Sequence, residues 1–191
     1  MAEIRAYFAF RSPYSRLGLH KLARAGVAVQ LVAFTGPPEG VVMEDAMRNP
    51  VKLAYLREDV LRMTRRMGLP LARPDPFDID FTAANRAFVA AAAAGKAMDY
   101  AIAVSDARWG EGRNVSDRAV LRDCMAAVGL DPELAEDAQT HPGVANTLRG
   151  QRTLIERDQV FGVPFVVAGG RRYWGHDRID LMLEELGGGP A

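Results

Sequence analysis

Residues 161–167 read Phe161-Gly162-Val163-Pro164-Phe165-Val166-Val167, and this stretch decides the fold. Its apolar second half predicts a buried strand that opens directly after a Val-Pro pair. The following Gly169-Gly170 pair predicts a tight turn, and residues 171–174 predict the returning strand. Residues 175–178, Gly-His-Asp-Arg, then lead into a closing helix with one apolar face. The chain therefore ends in a strand, a hairpin and a helix.

The beginning of the chain predicts a strand–helix–strand unit. Residues 4–10 are short, aromatic and apolar, as in a buried strand, and residues 28–34 repeat that pattern. Between them Ser12 is a suitable N-cap, followed by Pro13 at the first helical position. We expect the helix to end at Gly26. The two strands should pair in parallel, because a helix connects them.

The middle of the chain predicts helices, including one over residues 82–95 that contains an alanine run. Ser116 is the expected cap of a later helix. The order βαβ, helical block, ββα is that of a thioredoxin-like α/β fold with a helical insertion. We therefore predict a discontinuous thioredoxin-like domain over residues 1–38 and 159–191, and an all-helical insertion domain over residues 39–158.

Two segments of the predicted sheet domain suggest a ligand site. In thioredoxin-type folds the Val163-Pro164 bond is expected to be cis, which exposes backbone groups that can pair with a peptide-like ligand. Ser12 lies where a strand ends and a helix begins, in the positive field of the helix N-terminus. Such a position stabilises an anion such as a thiolate. Serine stands where thioredoxin-type proteins carry a reactive cysteine, so the sulfur is expected to arrive on a ligand.

Composition excludes several classes of function. The formal net charge is zero and the basic residues are dispersed, which argues against a nucleic-acid partner. No apolar run reaches the roughly 18 residues of a membrane helix, and no signal peptide is visible, so we expect a cytoplasmic protein. The single cysteine, Cys124, cannot form a redox pair and is expected to be buried. No residue cluster has metal-ligand spacing, so no metal is predicted.

Five segments, in the same order and over nearly the whole chain, resemble those of 2-hydroxychromene-2-carboxylate isomerases. This family belongs to the DsbA-like thioredoxin superfamily and is close to the kappa-class glutathione transferases. The segments are Phe8-Ala9-Phe10-Arg11-Ser12-Pro13-Tyr14-Ser15, Asn49-Pro50-Val51-Lys52-Leu53-Ala54-Tyr55, Trp109-Gly110-Glu111-Gly112, Val160-Phe161-Gly162-Val163-Pro164 and Trp174-Gly175-His176-Asp177-Arg178.

The resemblance implies a glutathione-dependent isomerase of aromatic (naphthalene) catabolism, commonly a homodimer, that converts 2-hydroxychromene-2-carboxylate to trans-o-hydroxybenzylidenepyruvate. Ser12 would hydrogen-bond the glutathione sulfur and favour its thiolate, the nucleophilic form. The other implied glutathione-binding residues are Asn49, Val163, Pro164, His176, Asp177 and Arg178. The implied residues for the aromatic keto-acid substrate are Lys52, Tyr55 and Trp109.

Each position also has a structural alternative. Ser12 and Asp177 could act only as helix caps, Lys52 as a solvated charge, and Tyr55 and Trp109 as packing residues of the helices. At the level of function, the alternatives are a kappa-like glutathione transferase or peroxidase and a non-catalytic thioredoxin-fold binding module. Arg11 and Phe165 depart from the family pattern and are expected to reshape the substrate pocket.

Overall fold

The computed structural model describes residues 3–42 and 49–187. Within these residues the chain forms a strand–helix–strand unit, six helices and a strand–strand–helix unit, in the predicted order. The strands are β1 (Ile4–Phe8), β2 (Gln30–Ala33), β3 (Phe165–Ala168) and β4 (Arg171–Trp174). The helices are α1 (Pro13–Ala25), α2 (Pro50–Arg66), α3 (Thr82–Ala93), α4 (Ala97–Trp109), α5 (Arg118–Ala127), α6 (Leu134–Asp137), α7 (Pro142–Asp158) and α8 (Arg178–Gly187).

The described strands form one mixed sheet in the order β2-β1-β3-β4. β1 and β2 are parallel, as predicted, whereas β3 is antiparallel to both β1 and β4. Tyr7 of β1 pairs with Phe165 of β3, which in turn pairs with Trp174 of β4. The last residues of β1 and β4 and the first residues of β3 therefore lie at the same end of the sheet. Ser12 lies four residues after β1 ends, Val163 two residues before β3 begins and His176 two residues after β4 ends.

The larger hydrophobic core joins one face of the sheet to the helices. It includes Ala6 and Phe8 of β1, Leu19 of α1, Phe88 of α3 and Tyr100 of α4. The rings of Phe8 and Phe88 meet edge to face, with their centroids 4.9 Å apart. Such a pair contributes about 0.5–1.5 kcal/mol beyond its buried area. The sheet and the inserted helices thus share one continuous core.

The other face of the sheet packs against α7. Tyr7, Val32 and Phe165 project from the strands on this face, because successive strand residues point to opposite sides. They contact Ile155 of α7 and Val160, which follows it. Helices therefore cover both faces of the sheet. Ser12 lies near the end of the sheet at which β1 and β4 end and β3 begins.

Helix boundaries follow local sequence signals with one exception. α1 begins after its N-cap Ser12 and ends at Gly26, which adopts the left-handed conformation at φ 63°. The prediction that Ser116 caps the helix after Gly112 is wrong: Asp117 caps α5, and its side chain accepts from the Ala119 backbone N–H. Ser116 instead donates its hydroxyl and backbone N–H to the Asn114 side chain, which forms a turn one residue earlier.

No helix in the described residues is long and apolar enough to cross a membrane. The proline-rich loop between α2 and α3 contains a cis peptide bond at Asp75-Pro76. The predicted cis bond at Val163-Pro164 is also present.

Candidate active site

Ser12 occupies the N-cap of α1, at the end of the sheet. Its Oγ accepts the Ser15 backbone N–H at 3.1 Å, and its own backbone N–H donates to the Ala9 carbonyl at 3.0 Å. The buried Ser15 hydroxyl in turn accepts the Ala9 N–H at 3.2 Å. Because the Ser12 oxygen already accepts one hydrogen bond from the backbone, its hydroxyl proton can be donated to a ligand. It can therefore stabilise an anion at the positive end of the helix.

The Val163-Pro164 segment packs directly against α1. Pro164 is buried, and a Cβ placed on Gly18 of α1 would lie 3.2 Å from Pro164 Cβ and 3.1 Å from Ile179 Cδ1. Only the missing side chain of Gly18 permits this close approach. The Pro164 carbonyl accepts the Gly175 N–H at 2.9 Å, which ties the segment to the turn before α8.

His176 lies in that turn and is 6% exposed. Its ring stacks on the ring of Tyr14, with centroids 5.1 Å apart and an interplanar angle of 12°. Burial lowers the pKa of His176, and the charge of Lys21 lowers it further. The ring is therefore neutral near pH 7. Its Nδ1 is buried and has no hydrogen-bond partner within the described part of the chain.

Asp177 and Arg178 are exposed and form an ion pair, with 3.0 Å between Arg178 Nη1 and Asp177 Oδ2. Asp177 also lines a cavity of about 590 Å³ between α1, α2 and α8. Asp180, Lys21 and Arg66 contribute further charges to its wall. The cavity thus carries both signs of charge, and its α1 residues lie in the C-terminal half of that helix, away from Ser12 at the N-terminus.

Two of the predicted substrate residues, Lys52 and Tyr55, lie on α2, and the predicted glutathione residue Asn49 lies at its start. Asn49 caps this helix, and its Oδ1 accepts the Lys52 N–H at 3.0 Å. Lys52 and Tyr55 are exposed on the same helix. α2 meets the first turn of α1 through Asp59, whose Oδ2 accepts the Tyr14 hydroxyl at 2.8 Å. The structure thus joins α2 to the end of the sheet that carries Ser12 and His176.

Trp109 is buried at 6% exposure and does not form an open wall. Its indole N–H donates to the Phe10 carbonyl at 2.9 Å, two residues before Ser12. The structure therefore favours the packing alternative for Trp109, because its indole hydrogen bond holds the backbone just before Ser12. Phe165 is 2% exposed on the α7 side of the sheet, against Tyr7, so the expectation that Phe165 shapes a substrate pocket is wrong.

Arg11 is exposed and pairs with Asp78 at 3.4 Å. Near it, Arg108 is fully buried among aromatic rings and donates to the Phe77 carbonyl at 2.6 Å. Burial lowers the pKa of Arg108 to about 10, and the charge of Arg11 adds to this effect.

Sequence reasoning missed a charged network that links α1 to α4. Arg16, on α1, is buried and donates from Nε to Asp106 Oδ1 at 2.6 Å and from Nη1 to the Pro70 carbonyl at 2.7 Å. His20 Nε2 lies 2.9 Å from the same Asp106 oxygen. Burial raises the pKa of Asp106, but the hydrogen bonds and charges of His20 and Arg16 outweigh it and lower that pKa overall. The spacing of Arg16 and His20, one turn apart on one helix face, was the available signal.

Cys124 is buried, as predicted, and burial raises the pKa of its thiol to about 12. It is therefore unsuited to nucleophilic chemistry near neutral pH. Among the residues that the structure describes, no group of three or more His, Cys, Asp or Glu side chains is placed to hold a metal ion.

Comparison with known proteins agrees with this architecture. The model of the DsbA-like thioredoxin domain matches residues 3–187. The chain belongs to the DsbA-like thioredoxin family. Within it, the chain is 27% identical to a 2-hydroxychromene-2-carboxylate isomerase of Sphingobium xenophagum over 188 residues, which cover 94% of this chain and 95% of the relative. It is 25% identical to the isomerase of the same name from Pseudomonas putida, over 95% of this chain and 92% of the relative.

Solved structures confirm the DsbA-like fold. A 2-hydroxychromene-2-carboxylate isomerase structure superposes with a TM-score of 0.81 at 24% identity, over 96% of this chain and 94% of that one. The cytosolic disulfide reductase DsbM from Pseudomonas aeruginosa, solved with GSH, superposes with a TM-score of 0.63 at 22% identity, over 89% of this chain and 87% of that one. The predicted fold and the predicted resemblance to the isomerases are both confirmed.

Proposed function

We propose that this DsbA-like protein is a glutathione-dependent isomerase that converts 2-hydroxychromene-2-carboxylate to trans-o-hydroxybenzylidenepyruvate. One observation carries the proposal: Ser12, not a cysteine, occupies the N-cap of α1, the helix whose Gly18 packs against Pro164. The chain contains a single cysteine, which is buried and has a raised pKa. Thiol–disulfide exchange by the chain itself therefore lacks a nucleophile, and the near full-length relatives carry the isomerase name.

The described residues fit glutathione. The Ser12 hydroxyl can donate to a thiolate, and the helix field favours the same charge. Asp177, which is exposed on the wall of the cavity between α1, α2 and α8, would bind the amine of the γ-glutamyl end. The unpartnered, buried Nδ1 of His176 is available for a further hydrogen bond. Val163 would pair with the glutathione backbone, while Asn49 and Arg178 would border it.

The hydroxychromene opens at its ring C–O bond to a phenol and a conjugated cis keto acid. Glutathione, when bound, would supply a thiolate whose addition to the double bond turns it into a single bond, so that rotation and loss of the same thiolate give the trans isomer. Ser12 would hold the thiol in its ionised form. Lys52 would bind the substrate carboxylate, and Tyr55 would line the same cleft from one turn further along α2. The cytoplasmic location and the homodimer stay predictions.

The test measures isomerisation of 2-hydroxychromene-2-carboxylate with and without glutathione, and titrates the bound thiol by the ultraviolet absorbance of its thiolate. Loss of one hydrogen bond to a charged group costs about 1.5–3 kcal/mol. We therefore expect Ser12→Ala to raise the pKa of bound glutathione by about 1 to 2, at 1.36 kcal/mol for each. Asp117→Ala removes a comparable N-cap on α5 and is the control for lost helix stability.

Three outcomes contradict the proposal. Isomerisation that continues undiminished after glutathione has been removed rules out the thiolate mechanism. Conjugation of a chlorinated aromatic without isomerisation indicates a kappa-like transferase. Tight glutathione binding without turnover on either substrate indicates a binding module.

A further inference from the structure

Tyr14 makes two contacts that the proposed chemistry does not use. It lies in the first turn of α1, two residues after Ser12. One face of its ring stacks on His176, and its hydroxyl donates to Asp59 Oδ2 at 2.8 Å. This single side chain therefore touches the turn before α8 and the middle of α2. Both elements carry residues that we assign to ligand binding.

The hydroxyl contact is charge-assisted and persists across the physiological pH range. Burial raises the pKa of Tyr14 far above its usual value, and the hydrogen bond and charge of Asp59 raise it further. Tyr14 therefore stays protonated and acts as the donor. Asp59 is only 18% exposed, and it also accepts from the exposed Arg62 at 2.7 Å, a surface contact that adds little. A hydrogen bond to a carboxylate is about twice as strong as a neutral one.

No buried side chain of α2 itself holds its first two turns in place. Thr64, in the last turn, is the one residue of α2 that is buried. Tyr55 lies one turn before Asp59, so the two share a helix face. Lys52 lies almost one turn earlier. The position of Asp59 therefore sets the position of the face that bears Tyr55.

We propose that Tyr14 is a positioning residue for the substrate: its hydroxyl fixes α2 over the end of the sheet, while its ring separately fixes His176. The inference rests on the proposed function, since it assumes that the α2 residues bind the keto acid. The two parts of this side chain would therefore act on two ligands. The hydroxyl would position the helix that binds the keto acid, and the ring would position His176, which binds glutathione.

Steady-state kinetics of Tyr14→Phe test the first half. The variant keeps the ring and loses the hydrogen bond, so we expect the KM for 2-hydroxychromene-2-carboxylate to rise about tenfold, which corresponds to about 1.4 kcal/mol. The kcat and the dissociation constant of glutathione should change less than about twofold. Tyr14→Leu removes the ring as well and should also weaken glutathione binding, measured by calorimetry.

Matched variants separate positioning from general loss of structure. Asp59→Asn keeps an oxygen acceptor but loses the charge, so it should raise the KM by less than Tyr14→Phe does, whereas Asp59→Leu should reproduce Tyr14→Phe. Arg62→Gln removes the other partner of Asp59 and should have little effect on KM. Tyr173→Phe deletes an equivalent hydroxyl–carboxylate contact, to Glu185 at 2.6 Å, and should leave both constants unchanged.

Hydrogen–deuterium exchange supplies a readout that does not depend on activity. In Tyr14→Phe the backbone amides of α2 should exchange faster, while those of α7 keep the wild-type rate. If the wild-type protein does not isomerise the chromene, the proposed function fails and exchange in α2 alone decides the role of Tyr14. Unchanged exchange in α2, or a loss of kcat at unchanged KM, would overturn the inference.

Discussion

Replacing Gly18 by alanine probes the contact between α1 and the Val163-Pro164 segment. In wild type no side chain separates α1 from Pro164. The added methyl group would lie 3.1 Å from Ile179 Cδ1 and 3.2–3.3 Å from Pro164 Cβ and Cγ. These distances are shorter than ordinary van der Waals separations of about 3.5–4.0 Å. The methyl group would therefore push on α8 and on the proline segment at the same time.

Two opposing effects set the magnitude. Alanine in a helix interior is favoured over glycine by about 1 kcal/mol. Overpacking a buried site costs about 1–3 kcal/mol. Ile179 Cδ1 is the end of a flexible side chain and can shift, but Pro164 Cβ and Cγ are fixed in the proline ring, so relief there requires movement of the backbone. We expect a net loss of about 1 kcal/mol for Gly18→Ala, which lowers Tm by about 2–4 °C in a chain of this size.

Gly150 provides the matched control. It lies on the exposed face of α7, and a Cβ there would meet nothing within 4 Å. Gly150→Ala should therefore gain about 0.5–1 kcal/mol from helix propensity alone. Urea unfolding of both variants measures the difference, and calorimetry measures glutathione binding, which only Gly18→Ala should weaken. A Gly18→Ala protein as stable as Gly150→Ala, with normal glutathione affinity, would refute the argument.

Asp106→Ala should lower the free energy of unfolding by about 3 kcal/mol, because it leaves the buried Arg16 without its carboxylate. The exposed Lys96–Asp99 pair is the control, and Asp99→Ala should cost less than about 0.5 kcal/mol. For His176, whose pKa is lowered by burial, the unfolded chain binds the proton more tightly. The contribution of neutral His176 to the free energy of unfolding is thus fully present above about pH 6.5, and it falls as the pH drops toward the pKa of the folded state. Urea unfolding should show this loss in wild type and a smaller loss in His176→Gln; equal losses would contradict it.

The fold was predictable from sequence because its decisive signals are local. Ser12 followed by Pro13 starts α1, and Gly26 ends it, with partners no more than three residues away. The Gly169-Gly170 turn likewise needs only its neighbouring strands. Where two local signals compete, as at Ser116 and Asp117, the sequence alone favoured the wrong cap, because the choice depends on the turn that Asn114 forms.

The site was predictable only in part, because its supports connect distant residues. Arg16 and Asp106 are 90 residues apart, and Tyr14 and Asp59 are 45 apart. No periodicity or composition links such pairs before the helices have packed. Trp109 shows the same limit: its motif marks it as important, but only the packing shows that its indole binds the Phe10 carbonyl.

The order of strands also constrains how the protein is made. β1 is an inner strand whose antiparallel neighbour, β3, ends only at Ala168 of 191 residues. During synthesis from the N-terminus, β1 can pair only with β2 until almost the whole chain has left the ribosome, so one side of it stays an open sheet edge. Such edges favour association with other chains. Efficient production of this protein should therefore depend on protection of the nascent β1 edge, by the helices that emerge next or by a chaperone.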